Sequence, residues 1–127
     1  MPATPRRRNR LRAIALLAFA GTAVASAKST DPRAGRVAGK PANCVRLDQT
    51  NRVVIADANT LTLRDGRRLW ITHPIGQCTR LNPNDTLVLE VWGSQLCRND
   101  RFRTLQPGTT IPSAFCRFGE FVPYVKK

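Results

Sequence analysis

Residues 53–72 read Val53-Val54-Ile55-Ala56-Asp57-Ala58-Asn59-Thr60-Leu61-Thr62-Leu63-Arg64-Asp65-Gly66-Arg67-Arg68-Leu69-Trp70-Ile71-Thr72, and this stretch decides the fold class. Val53-Val54-Ile55, Thr60-Leu61-Thr62-Leu63 and Leu69-Trp70-Ile71 are rich in β-branched and aromatic residues, which favour a pleated, half-buried chain. Turn chemistry divides the three runs. Asp57-Ala58-Asn59 supplies side chains that hydrogen-bond their own backbone, and Asp65-Gly66 is a strong two-residue hairpin signal. The segment therefore predicts a three-stranded antiparallel meander. Leu61 and Leu63 alternate with Thr60, Thr62 and Arg64, so the leucines are expected to face a core and the polar set to face water.

Working outward, further short β-type runs follow at close spacing. Residues 74–85 carry Pro74, Gly76, Pro83, Asn84 and Asp85 and predict a long loop anchored by Cys78. Thr86 to Trp92 then alternates, placing Leu87, Leu89 and Val91 on one face, with Trp92 capping the strand near Gly93. A short turn is expected near Ser94 to Cys97. Phe102 to Leu105 and Glu120 to Val125 supply a fifth and sixth strand, and Pro123 places the last at an edge because proline has no N–H for a ladder. No amphipathic helix is legible. The expected fold is all-β: one small antiparallel barrel-like or sandwich domain of five to six strands over residues 44–127.

The segments before it read differently. Residues 28–43, rich in Gly, Pro, Ala and charge, predict a disordered tether. Residues 1–27 read as a cleaved signal peptide: Arg6, Arg7, Arg8, Arg10 and Arg12 precede the apolar run Ala13 to Ala25 and the triplet Ala25-Ser26-Ala27. The run is shorter than the roughly 20 residues of a membrane-spanning helix, which points to cleavage near Lys28 and a periplasmic or secreted location. Arg7-Arg8 makes a poor twin-arginine motif, so the general secretory route is expected.

The four cysteines, Cys44, Cys78, Cys97 and Cys116, all lie beyond the signal. An even number in an exported chain predicts two disulfides. Three connectivities are open; the parity of ascending and descending strands favours Cys44–Cys97 with Cys78–Cys116. Zinc does not fit, because no C-x-x-C pair exists and there is one histidine. No cofactor or metal site is expected.

Net charge gives the main functional lead. The whole chain carries +13; without residues 1–27, sixteen basic residues stand against eight acidic ones, a formal +8 over 100 residues. Such a charge favours anionic partners: lipid headgroups, lipopolysaccharide phosphates or acidic polymers. Arg64, Arg67 and Arg68 flank the second hairpin, and Arg98, Arg101 and Arg103 alternate around Phe102, making these six the anion-binding candidates. Single-stranded nucleic acid binds such basic, aromatic-bearing β surfaces, but export argues against it as a partner.

Catalytic chemistry is not legible. His73 is the lone histidine and has no motif-placed partner, whereas general base work needs one within hydrogen-bond reach. Asp48, Asp57, Asp65, Asp85, Glu90, Asp100 and Glu120 are scattered, several of them at turns, with Asp100 placed to cap a turn or pair with an arginine.

Two resemblances add to this. The order Cys44-Val45, Val53-Val54-Ile55-Ala56-Asp57-x-x-Thr60-Leu61, Cys78, Leu96-Cys97-Arg98-x-Asp100 and Cys116-x-x-Gly119-x-Phe121-x-Pro123 resembles a family of short exported proteobacterial proteins known as a domain of unknown function. Membership implies an exported, disulfide-bonded β domain and supplies no activity. The stretch from Val54 to Leu69 also looks like the V-x-D-G-D-T-L opening of thermonuclease-like OB barrels. That resemblance implies a calcium site near Asp57, although Asn59 stands where the family has its second Asp and Ala58 replaces its Gly. The expected function is thus a non-catalytic binding or structural module of the cell envelope with affinity for anionic partners; the alternative is a calcium-dependent OB-fold nuclease.

Overall fold

The computed structural model describes residue 21, residues 31–78 and residues 80–127; apart from Gly21, the signal segment 1–27 lies outside them. Among the described residues eleven strands form: β1 Arg36–Ala38, β2 Cys44–Arg46, β3 Val53–Asp57, β4 Thr60–Asp65, β5 Arg68–Thr72, β6 Pro74–Ile75, β7 Thr86–Glu90, β8 Gln95–Cys97, β9 Arg101–Leu105, β10 Cys116–Phe118 and β11 Val122–Lys126. All pairings are antiparallel.

The expected meander is present as β3–β4–β5, with the order extended to β1-β11-β5-β4-β3. A second sheet runs β6-β10-β9-β7, and β2 pairs with β8 in a two-stranded ribbon. The chain passes from the first sheet to the second at His73, between β5 and β6, and returns between β10 and β11. There the two crossing segments touch, Gly119 N–H donating to the His73 carbonyl at 3.0 Å. On the far side β3 approaches β7, which gives the pair of sheets a barrel-like form.

The core lies between the sheets. Phe102, Phe118, Phe121, Leu61, Leu63 and Leu96 are its most completely buried large members. Phe102 and Phe118 rings lie 4.6 Å apart and Phe118 and Phe121 6.0 Å apart, within the range of favourable aromatic pairs. Leu61 and Leu63 face this core as their alternation requires, and Leu87, Leu89 and Val91 pack against it. Thr60 is buried although its polarity pointed outward. Leu69 and Ile71 are buried on the other face of the meander, since their cross-strand partners are Arg64 and Thr62 and not the core leucines.

Both disulfides take the pairing that strand parity favours, Cys44–Cys97 and Cys78–Cys116. Cys44 and Cys97 stand directly opposite each other on β2 and β8. Closing loops 53 and 38 residues apart, each bridge contributes roughly 2–4 kcal/mol by restricting the unfolded chain.

Several expectations are corrected. The strand count is eleven and not five to six, because ribbons of two or three residues carry no periodicity of their own. Residues 36–38, placed in a tether, form an edge strand on β11, and Ala42 bridges Phe121, so the folded unit begins before Cys44. β11 is consequently interior and not an edge. Pro123 is tolerated because its carbonyl, accepting from Gly39 N–H at 2.7 Å, faces β1 just where that strand ends. A strand residue points its nitrogen the same way as its carbonyl, so the missing N–H costs only the reciprocal bond to exposed Gly39, past the end of β1, and none toward β5. Residues 95–97 are a strand and not a turn, and Trp92 is 93% exposed instead of capping β7.

Candidate anion-binding surface

The β4–β5 hairpin closes through a two-residue loop, Gly66-Arg67, with Asp65 and Arg68 as the last cross-strand partners. Gly66 has φ +56°, and Arg67 has no positive φ, the arrangement of a turn with glycine in its first loop position. The Asp65-Gly66 signal therefore marks the hairpin, with the loop one residue later. This turn projects the Arg67 carbonyl toward β1, where Arg36 Nη1 donates to it at 3.1 Å and to the Tyr124 carbonyl at 3.4 Å.

Cross-strand register then gathers charge. Arg36 stands directly opposite Lys126, and Ala38, Tyr124, Leu69 and Arg64 form the next row across the sheet. Directly opposed residues share a face, so Arg36, Lys126 and Arg64 project from one side. With Arg67, Lys127 and Gly66 they line a cleft of about 370 Å³. Arg68 belongs to the other face. It lies opposite Val125 and Asp65 and stacks on the Trp70 ring with its guanidinium carbon 5.4 Å from the centroid.

The second arginine group sits elsewhere and is differently engaged. Arg101 Nη2 pairs with Glu90 Oε2 at 3.0 Å across β9 and β7, the one salt bridge among the described residues. Arg101 and Arg103 both approach the Phe115 ring, at 4.5 and 3.5 Å from its centroid, and tie the loop before β10 to β9. Arg98 lies in the turn between β8 and β9, where its N–H donates to the Asn43 carbonyl. The six candidate arginines are thus not one surface. Arg64 and Arg67 share a cleft, Arg68 is on the opposite face, and Arg98, Arg101 and Arg103 belong to another part of the fold. Arg36, Lys126 and Lys127 were missed: one fell in the supposed tether, and the lysines follow the last recognisable β run.

Three of the carboxylates, Asp48, Asp57 and Asp100, are occupied by turns. Asp48 accepts from Thr50 Oγ1 and from the N–H groups of Thr50 and Asn51, and these bonds hold its carboxyl below the usual aspartate value. Asp57 accepts from Asn59 N–H at 2.9 Å, which lowers its pKa, helped by a hydrogen bond from the Thr60 side chain and the nearby charge of Arg33. Asp100 Oδ2 accepts from Cys97 N–H at 2.7 Å and so caps its turn. His73 Nδ1 lies 2.7 Å from the Asn59 carbonyl, an acceptor, so Nδ1 carries the hydrogen and Nε2 accepts from Arg33 Nη2 at 3.2 Å. Among the described residues no three His, Cys, Asp or Glu side chains converge as metal ligands would.

No family model matches the chain, nor does any curated protein or solved structure.

Proposed function

We propose that this protein is an exported, non-catalytic binding module of the cell envelope that engages anionic partners through its basic hairpin end. The observation that supports this is the clustering of Arg36, Arg64, Arg67, Lys126 and Lys127 around one cleft, with no carboxylate salt-bridged to any of them among the described residues. Like charges held together repel. An anion seated among them converts that repulsion into attraction, and a partner with many negative groups is drawn in at long range. Two disulfides and the export signal read in residues 1–27 support a periplasmic or secreted location. Among the described residues no helix is long and apolar enough to cross a membrane.

Titration with heparin or lipopolysaccharide at several salt concentrations tests the reading. Affinity is expected to fall steeply as salt screens the charges, and to fall further in an Arg64→Glu/Arg67→Glu double variant that keeps its β-sheet signal. Binding that ignores both salt and charge reversal rejects it.

A further inference from the structure

We infer that the cleft at the β4–β5 hairpin end is a site for a phosphate ester on a small polar headgroup, held by Arg36, Arg64, Arg67 and Lys126. This rests on the anion-binding reading above and names its ligand class. The first observation is the direct opposition of Arg36 and Lys126 on β1 and β11. Like charges facing each other across an antiparallel pair destabilise it, and here the pair forms the three-residue β1 ladder that holds the N-terminal strand. A dianion bridging the two side chains removes that cost.

The second observation is that Arg36 is already oriented. Nη1 is committed to the carbonyls of Arg67 and Tyr124, and Arg36 makes no other side-chain hydrogen bond among the described residues. Its Nε and Nη2 hydrogens remain as donors in the fixed fork that suits phosphate oxygens. An arginine held in place loses little further side-chain freedom when it binds.

The third is size. At about 370 Å³ the cleft falls within the span of small-molecule sites, roughly 300–1,000 Å³, and exceeds what one inorganic ion fills. Val125 borders the cleft, but its register turns its side chain to the Arg68 face, so the carbon face of a sugar or polyol carrying the phosphate would rest on the aliphatic stems of Arg36, Arg64 and Lys126. A phosphomonoester has about −1.5 to −2 charge and three acceptor oxygens, enough to engage cations on both β1/β11 and the hairpin. A carboxylate has only two oxygens in one plane. A soluble sugar phosphate and the phosphorylated headgroup of a lipid present the same chemistry.

Isotope-labelled, disulfide-bonded protein titrated with glucose 1-phosphate, at ionic strength held constant with sodium chloride, tests this by NMR. The expected result is saturable shifts confined to Arg36, Gly66, Arg67, Lys126 and their neighbours. Lys126→Gln, which leaves the backbone ladder of β1 intact, is expected to weaken binding roughly tenfold, the loss of one charged hydrogen bond. Arg36→Gln is expected to act likewise or more strongly. Vesicles containing phosphatidic acid provide the second arm: tighter binding to them than to glucose 1-phosphate assigns the lipid source, and the reverse assigns the soluble one. Shifts no larger than chloride produces, on both probes, overturn the proposal, as does unchanged affinity in Lys126→Gln. If heparin still binds in a salt-dependent manner in that case, the broader anion-binding reading survives; if it does not, both fall.

Discussion

The Gly119 amide donates to the His73 carbonyl at 3.0 Å, and a Cβ at position 119 would lie 2.5 Å from that oxygen. The two segments where the chain changes sheets are pressed together at this point, and only a residue without a side chain allows it. The contact is with backbone, which cannot swing aside as a flexible side chain could.

Gly119→Ala is accordingly expected to destabilise the domain by about 1–3 kcal/mol, the usual cost of overpacking a tight site. Thermal unfolding of oxidised protein measures it; an unchanged melting temperature would show that the crossing can open at no cost.

The two disulfides should differ in their accessibility to reductant. Cys44 is exposed, whereas Cys116 is 2% exposed at the heart of the core cluster. Thiol exchange requires direct attack on a sulfur, so access governs the rate. Mild reduction followed by alkylation and peptide mapping is expected to label Cys44 and Cys97 well before Cys78 and Cys116. Equal labelling at all times would contradict the burial difference.

Phe118 and Phe115 give a contrasting pair. Phe118 is fully buried between Phe102 and Phe121, and Phe118→Ala is expected to cost about 3–5 kcal/mol. Phe115 is exposed and meets only the guanidinium groups of Arg101 and Arg103 among its polar contacts. Exposed cation–π contacts contribute about 0.5–1 kcal/mol each, so Phe115→Ala should unfold at a denaturant concentration much closer to that of the parent. Reversal of this order in urea titrations would place the core elsewhere.

Acid should weaken the fold through Asp48 and Asp57. Both carboxyls are held below their ordinary value by hydrogen bonds to the charged form, chiefly from Thr50 to Asp48 and from Asn59 to Asp57. A depressed folded-state pKa contributes stability that is complete above the unfolded value, about 3.9 for aspartate, and is lost as pH falls through the lower folded-state value. Stability is therefore expected to decline below about pH 4, with the midpoint of acid unfolding read by circular dichroism. An Asp48→Asn/Asp57→Asn variant should show a shallower decline; an identical profile would assign acid sensitivity to other groups.

Much of the fold is legible because it is local. In Val53 to Thr72 the alternation of Leu61 and Leu63 with threonines, and the turn residues on either side, agree on a meander without help from the rest of the chain. The Cys44–Cys97 and Cys78–Cys116 pairing also follows from strand order, although the reason Cys44 meets Cys97 is the short β2–β8 ribbon and not a pair of long strands. The turn positions of Asp57 and Asp100 are equally local, each carboxylate capping a backbone N–H two or three residues away.

What the amino-acid sequence determined by itself was thus the β character of the chain, the core face of its meander, the hairpin at Gly66 and the even set of cysteines. Tertiary structure alone decided that Arg36–Ala38 is a strand, that Pro123 lies inside a sheet, and that Arg36 meets Lys126 across ninety positions of chain. The physical reason is that a three-residue strand has no period to detect and no burial of its own; its backbone groups are satisfied only when β11 is already in place beside it. Charge follows the same rule. Composition reports how many arginines and lysines there are, but cross-strand register sets which face each other, leaving Arg64 and Arg67 in a cleft with Arg36 and turning Arg68, a single residue further on, to the opposite side.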